Sequence, residues 1–386
     1  MTKQIYFDYA AATPTDPLVL KSMFPYFSRE YGNSMSFHKM GAKAQKIVEK
    51  ARKTLANIIN ANPSEIIFTS SATESNNLAL KGITMINKDR KKHIIVSAIE
   101  HDSVLNPAGW LKTQGFEVSI LPVNKNGLVD LKKLKKIIRK DTFLVSVIHG
   151  NNEIGTIQDL KKIGAICHEN NILLHTDASQ SFAKISIDVK RDNVDLLTAS
   201  SHKIYGPKGA GLLYIRSGIP IVPLLHGGGQ ERNIRSSTLN VSAIVGFAKA
   251  AEICLKNKNE NKKIANLRDF LIKEILKKIP NTKLNGDLKN RLPNIANITF
   301  SFIEGESLLL ELDLANIYVS TGSACSSPSL KPSHVLMALG KNAEDAHGSI
   351  RFSLGRWTTK EDINYLLKVL PEIVQRLRKF SPFSVK

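Results

Sequence analysis

"LLTASSHKIYGPKGAGLLYI", residues 196–215, ends an apolar run on a cluster of small hydroxyls, passes His202 and Lys203, and enters a turn rich in glycine and proline. Burial of a lysine's charge is costly. A lysine at the mouth of a buried strand is therefore either a solvated loop residue or an amine kept for covalent chemistry. The sequence on either side decides between the two.

From about residue 64 to 250, short apolar runs alternate with helical patterns, the mark of βαβ units and a largely parallel sheet. "EIIFTS" precedes "SATESNNLALKGI", "HIIVSAIEH" precedes "DSVLNPAGWLKTQG", and "TFLVSVIHG" precedes "NNEIGTIQDLKKIGAICHEN"; "NILLHTDAS" and "VDLLTASS" follow. Residues 255–286 then read as a long lysine-rich helix, after which "NIANITFSF", "SLLLELDLANIYVS" and "SIRFSLGR" mix strands with helices. The expected architecture is α/β, with a large domain over residues 15–255 and a smaller α+β domain from residues 1–14 and 256–386. The polar residues that break the apolar runs sit just after them: Thr73, His101, Asn152, Asp177 and the Ser200–Lys203 cluster. Ligands of open α/β sheets bind outside the carboxyl ends of the strands. These residues are therefore expected to converge on one crevice.

At 386 residues and 42% apolar content the chain can bury one large core or two ordinary ones. Its first residues show neither a secretory nor a transit pattern, and no apolar run approaches the length needed to cross a bilayer. Cys167, Cys254 and Cys325 are too few and too scattered for a disulfide framework or a CxxC metal site. A soluble cytoplasmic protein is expected, with no membrane partner and no resident metal. The formal charge of +20 raises the question of nucleic acid. However, the lysines are spread over helix faces. In "DLKKLKKIIRK", Leu131, Leu134, Ile137 and Ile138 form one face, the lysines oppose them, and Asp130 is the expected N-cap. Aromatic residues are only 6% and do not interleave with basic ones, so base stacking is not favoured.

"SSATESNN" opens a helix directly after a strand, where free backbone N–H groups and the dipole can hold an anion, although a Ser/Thr N-cap explains it equally well. It is neither a Walker loop nor a GxGxxG fingerprint. "HTDASQS" ends an apolar run on Asp177, a carboxylate that could cap the next helix or bind a cation or a protonated ring nitrogen, with Gln180 three residues later and Lys203 past another strand. An Asp and a Lys at two strand ends beside a phosphate site suit pyridoxal 5'-phosphate, whose aldehyde bonds an amine and whose ring nitrogen needs an anionic partner.

"SSHKIYGPKGAGLLYI", "SSATESNN", "SAIEHDSVL", "NNEIGTIQDL", "HTDASQS", "HGGGQERNIRSSTLN", "VSTGSACSSPSLKPSHVLMALG" and "SIRFSLGRWTT" together resemble, in order and over nearly the whole chain, the NifS/IscS-type cysteine desulfurases. These belong to the class V aminotransferase group of fold-type I pyridoxal-phosphate enzymes. The resemblance implies a mostly parallel seven-stranded sheet sandwiched by helices, with the smaller domain carrying a catalytic cysteine loop at residues 320–333. It makes Lys203 the lysine that holds the cofactor covalently and Asp177 the partner of the pyridine nitrogen. His101 would stack on the ring and relay protons, and Asn152 and Gln180 would face its substituents. Ala72, Thr73, Ser200 and His202 would hold the phosphate. Thr238 would reach the phosphate of a neighbouring subunit's cofactor, implying a homodimer. Arg351 would clamp the carboxylate of L-cysteine, with Asn33 nearby. Cys325, in a run of small residues and prolines, would take the sulfur as a persulfide. It would pass that sulfur to an Fe–S scaffold or another acceptor, with which it could transiently share a cluster as ligand.

The chain departs from the family pattern at Ser34 and Met35, where a Pro-Ser pair is usual, at Asn233 and Ser237, where glycines are common, and at Tyr9, which replaces an Asn. His149, His168 and His175 lack metal-ligand spacing and are read as structural, and Cys167 and Cys254, on apolar helical stretches, as core. A selenocysteine lyase, which shares the cofactor site, is the nearest alternative. A basic binding protein is the alternative from another class.

Overall fold

The computed structural model describes residues 4–88, 92–321 and 331–381. After β1 (Ile5–Tyr6) come β2 (Ile66–Thr69), β3 (His93–Ser97), β4 (Glu117–Leu121), β5 (Thr142–Ser146), β6 (Leu173–Asp177), β7 (Leu196–Ser200) and β8 (Gly211–Ile215). These last seven form one sheet in the order β2-β8-β7-β6-β5-β3-β4. It is parallel throughout except at β8, which runs antiparallel to both its neighbours. This is the expected seven-stranded, mostly parallel sheet.

Both faces of the sheet are buried, and the two-residue period of a strand divides the side chains between them. Ile66, Phe68, Ile95, Leu197, Leu212 and Tyr214 point into one core. Their neighbours Ile67, Ile94, Val96, Leu196, Leu213 and Ile215 point into the other. Helices cover each face. The helix Lys39–Ile58 presents Val48, Ala51 and Leu55, at helical spacing, to the first core. The helix Leu131–Ile137 buries Leu134 and is capped by Asp130, whose Oδ1 accepts from Lys133 N at 2.9 Å.

A second core surrounds β9 (Thr282–Asn285), β10 (Ile295–Phe300), β11 (Ile317–Tyr318) and β12 (Ser349–Ser353). Three of these make an antiparallel sheet in the order β12-β10-β9, while β1 pairs in parallel with β11. The helices Lys258–Lys278 and Lys360–Phe380 pack on it through Ile275, Leu366 and Leu370. Ile5 and Phe7 belong to this second core and Tyr9 to the first, so the amino-terminal arm ties the two together.

Residues 255–286 differ from the single helix read in the sequence. One helix ends at Lys256, Asn257 breaks the path at φ −91°, ψ 53°, a new helix runs from Lys258 to Lys278, and β9 follows. Asn is a weak helix former that competes for backbone hydrogen bonds, which accounts for the break. β9 takes its conformation from pairing with β10 rather than from its own composition. Among the described residues, no helix is long and apolar enough to cross a membrane.

Candidate active site

The carboxyl ends of β2, β3, β5, β6 and β7 open on one cleft with about 180 Å³ of free space, and nine of the expected residues line it. Asp177 is the last residue of β6 and is 3% exposed. Its Oδ2 accepts from Asn76 Nδ2 and its Oδ1 from Ser179 N, each at 2.8 Å. Two donors hold the carboxyl group in place at the cleft. Ser200 ends β7, and the turn Ser201–Lys203 follows at once. The Lys203 ammonium donates to the carbonyl oxygens of Ala10 and Ala11, each at 2.7 Å, so the amino-terminal arm receives the amine.

Ser200 is buried behind the cleft, and its hydroxyl bonds His202 Nδ1 at 2.8 Å. Burial, then the charges of Lys203, Lys208 and Lys184, push His202 down to about 4, so its ring is neutral and keeps one N–H. Ala72 and Thr73 form the first turn of the helix Ala72–Asn77, where backbone N–H groups lack partners within the helix. Gly211 lets β8 press against this turn, since a Cβ there would lie 2.6 Å from the Ser71 carbonyl carbon. His101 caps the next helix: its Nδ1 accepts from Ser103 N at 3.0 Å, which leaves the ring proton on Nε2.

Gln180 is buried and donates to Ala10 O at 2.8 Å. Asn152 and Arg351 meet across the cleft, with Arg351 Nη1 donating to Asn152 O at 3.0 Å and Nη2 to Asp8 Oδ1 at 2.8 Å. Two buried atoms of cleft residues, Arg351 Nε and Ser179 Oγ, have no hydrogen-bond partner among the described residues. A buried orphan donor in a cleft points to a missing acceptor.

Thr238 and Asn33 do not line the cleft. Both are exposed, Asn33 accepting from Met35 N at 2.9 Å. Cys325 lies outside the described residues. At the departures, Asn233 and Ser237 hold φ values of +59° and +146°, which explains why glycine suits these positions. Tyr9 packs edge-on between Tyr6 and Tyr205, two residues beyond Lys203, and its ring fills the space left by Gly355. Cys167 and Cys254 are buried, and burial raises their thiols to about 12 and about 11.

The sequence reading missed Ala10 and Ala11, Asn76, and Asp8. The three alanines after Tyr9 are a signal in retrospect, because small side chains let carbonyl oxygens approach a neighbour closely. Asn76 is a poor helix former inside a helix, which marks it as polar for a reason. Nothing local marks Asp8, whose partner is 343 residues away.

Residues 5–366 match the family model described as aminotransferase class-V. A cysteine desulfurase IscS of Dictyoglomus turgidum is 49% identical over 385 residues, covering all of this chain and 98% of that protein. A solved NifS-like protein superposes with a TM-score of 0.91 at 40% identity, covering 97% of this chain and all of that one. A structure described as SspA in complex with cysteine superposes at 0.82 with 38% identity, covering 92% of this chain and all of the other. With the cleft at the strand ends and a match spanning both cores, the chain belongs to the class V aminotransferase family, among its cysteine desulfurases of the IscS kind.

Proposed function

We propose that this chain removes sulfur from L-cysteine with pyridoxal 5'-phosphate as cofactor, giving L-alanine and a persulfide on Cys325. The observation that carries the reading is the arrangement of one cleft: an amine on Lys203, a buried carboxylate on Asp177 and a buried guanidinium on Arg351 open into it together. The donor set fits the cofactor. The Ala72 and Thr73 amides, with Ser200 and neutral His202, suit a phosphate. Asp177, held by Asn76 and Ser179, suits a protonated ring nitrogen, and the orphan Ser179 Oγ leaves a donor for a bound oxygen.

When bound, pyridoxal phosphate supplies an aldehyde that bonds amines and a ring that accepts electron density from the substrate's Cα. Lys203 would act as nucleophile and base, its amine held at the cleft by the Ala10 and Ala11 carbonyls. Asp177 would hold a protonated ring nitrogen, and His101 would offer its Nε2 proton, its other nitrogen fixed by Ser103. Asn152 and Gln180, which line the same cleft, would face the ring's substituents. Arg351 would receive the substrate carboxylate, and Asn33 would approach the substrate from outside the cleft lining. The Cys325 thiolate attacks the substrate sulfur, forming an S–S bond as the C–S bond breaks. The electron pair stays on carbon, and a proton completes the methyl group of alanine.

Residues 15–255 form the large domain in this reading, and 1–14 with 256–386 the smaller one. The partners are L-cysteine, a second copy of the chain, and an Fe–S scaffold or other sulfur acceptor that collects the persulfide. A homodimer is supported by the exposed aromatic side chains of residues 24–37, Phe24, Phe27, Tyr31 and Phe37, the last fully exposed at 107%. Exposed Thr238 would reach across it to the partner's phosphate. A cytoplasmic setting suits a thiol that must stay reduced between turnovers. The test is the absorption spectrum of the purified protein with and without L-cysteine, paired with analysis of alanine and sulfide. A yellow protein whose spectrum shifts and which yields both products supports the reading. A colourless protein, or products only from L-selenocysteine, defeats it.

A further inference from the structure

The short helix His334–Ala338 lies on the loops that bring His101 and Asn152 to the cleft, and contacts of three kinds hold it there. Val335, Leu336 and Leu339 share a small core with Ile99, Ile148 and Ile154. The Ser333 hydroxyl donates to Glu153 Oε2 at 2.5 Å and accepts from Leu336 N at 3.2 Å. Both Ser333 and Glu153 are buried, and Glu153 directly follows Asn152. Finally, His334 Nε2 donates to the carbonyl oxygen of Glu100, the residue before His101, at 2.9 Å.

Upstream, Ser320 exchanges backbone hydrogen bonds with Arg351, at 2.7 and 3.3 Å. The stretch that contains Cys325 is thus tied at Ser320 to the residue proposed to hold the substrate carboxylate, and at Ser333 to the neighbours of Asn152 and His101. Cys325 is five residues from the first tie, a reach of at most about 18 Å along an extended chain. Helix docking alone could have used apolar contacts. A buried carboxylate and hydroxyl cost desolvation and give in return a fixed direction. Burial pushes the Glu153 carboxyl upward, and the Ser333 hydroxyl, then His334 and Arg351, oppose that push.

We infer that Ser333, Glu153 and His334 are positioning residues for sulfur transfer, fixing the downstream foot of the Cys325 segment on the loops that carry His101 and Asn152. This rests on Cys325 being the sulfur acceptor. The transfer needs a thiolate aligned with the substrate sulfur, and a misplacement of about 1 Å can cost on the order of 100-fold in rate.

The test compares Ser333→Ala, Glu153→Ala and Glu153→Gln in the full-length holoenzyme. Rapid mixing with L-cysteine is followed by absorbance, for substrate binding and the first chemical steps, and by mass spectrometry of quenched samples, for persulfide on Cys325. Ser333→Ala and Glu153→Ala should slow persulfide formation about 10-fold or more, while the absorbance change keeps its wild-type rate and cysteine dependence. Glu153→Gln, which still accepts the Ser333 hydrogen bond, should recover most of the loss. Hydrogen exchange at Leu336–Leu339, with and without cofactor, should quicken in the two alanine variants and not in Glu153→Gln. Wild-type persulfide rates in folded Ser333→Ala would overturn the inference, and so would an absorbance change slowed as much as the persulfide. If Glu153→Ala does not fold, Ser333→Ala and Glu153→Gln decide. Cys325→Ser separates the two layers. Persulfide still formed at the wild-type rate in that variant removes the Cys325 reading and the inference with it. Persulfide lost there but untouched in the Ser333 and Glu153 variants removes the inference alone.

Discussion

Arg52 and Arg351 are each 3% exposed, yet the regions around them treat a buried guanidinium in opposite ways. Arg52, on the helix Lys39–Ile58, meets both oxygens of Glu231 at 2.7 Å, Ile66 O at 2.7 Å and Glu49 at 3.0 Å, with its plane over Phe68. It fastens the segment that leads to Thr238. Arg351, on β12, gives one bond to Asp8 and one to Asn152 O, and its Nε has no partner among the described residues. Burial alone does not mark a functional cation. What separates Arg351 from Arg52 is unspent hydrogen-bonding capacity beside a cleft.

The largest effect expected from this contrast is on stability. Arg52→Ala leaves the Glu231 carboxylate buried without its counter-charge, which typically costs about 3–5 kcal/mol. Urea denaturation should read that loss, with the KM for cysteine little changed among molecules that remain folded. Arg52→Met combined with Glu231→Leu should regain much of it, because the uncompensated charge is gone. A double variant as unstable as the single one would show that the pair does more than neutralise itself.

Arg351→Lys should give the converse result. An ammonium cannot supply two parallel hydrogen bonds to a carboxylate, and a hydrogen bond to a charged group is worth about 1.5–3 kcal/mol. The KM for cysteine should therefore rise roughly 10- to 100-fold, with the melting temperature nearly constant. An unchanged KM with a melting point lowered as far as in Arg52→Ala would make Arg351 a structural cation like Arg52, and the comparison would fail.

The sequence carries one half of this contrast better than the other. Asp177, Lys203 and His101 are legible because each follows an apolar run, and strand ends in such a sheet converge whatever the loops do. Arg351 is legible only through its motif, since its β12 neighbours Phe352 and Ile350 read as ordinary core. The Arg52–Glu231 pair spans 179 residues and has no local signature. Ala10 and Ala11 act through carbonyl oxygens that every residue possesses, so no side chain announces them. β9, "TKLN", holds a single apolar residue, and the ladder to β10 overrides its composition.

The buried carboxyls repeat the contrast and allow a pH test. Glu231 accepts from Arg52 and from Phe68 N. Glu100, beside His101, has only the neutral donors Ser97 Oγ and Ile148 N, and its Oε2 has no partner among the described residues. Burial pushes Glu100 up to about 8 from its ordinary 4.5. Between those two values the unfolded chain has released this proton and the folded chain keeps it. Stability therefore falls as pH rises through that window, by about 1.4 kcal/mol per pH unit. His149, His175 and His202, lowered to about 4, give the opposite slope below 6.5. The difference between wild type and Glu100→Gln isolates the carboxyl: the variant should gain on wild type as pH rises from 5 to 8, in parallel urea titrations. Parallel curves would mean that Glu100 ionises in the folded chain as freely as outside it.

The smallest effect lies at the far end of the segment that Arg52 fastens. Ser237 sits at φ +146°, a region that a side chain disfavours by about 1–3 kcal/mol and glycine accepts. Two ties hold the backbone there: Arg52 on Glu231, and Arg235 on Glu74 at 2.7 Å. Burial raises the Glu74 carboxyl, but hydrogen bonds from Arg235 and Ser70 outweigh it and bring it below the usual range. Ser237→Gly relieves the strain but gives the unfolded chain more freedom, which takes back about 0.4–1 kcal/mol. The net expectation is a gain of about 1 kcal/mol, a rise of a few degrees at most in the melting temperature. The same change in the Arg52→Ala background should gain less, because a loosened segment no longer enforces the strained backbone. Equal gains in both backgrounds would mean that the strain is local to Ser237, and that the ion pairs do not hold the segment leading to Thr238.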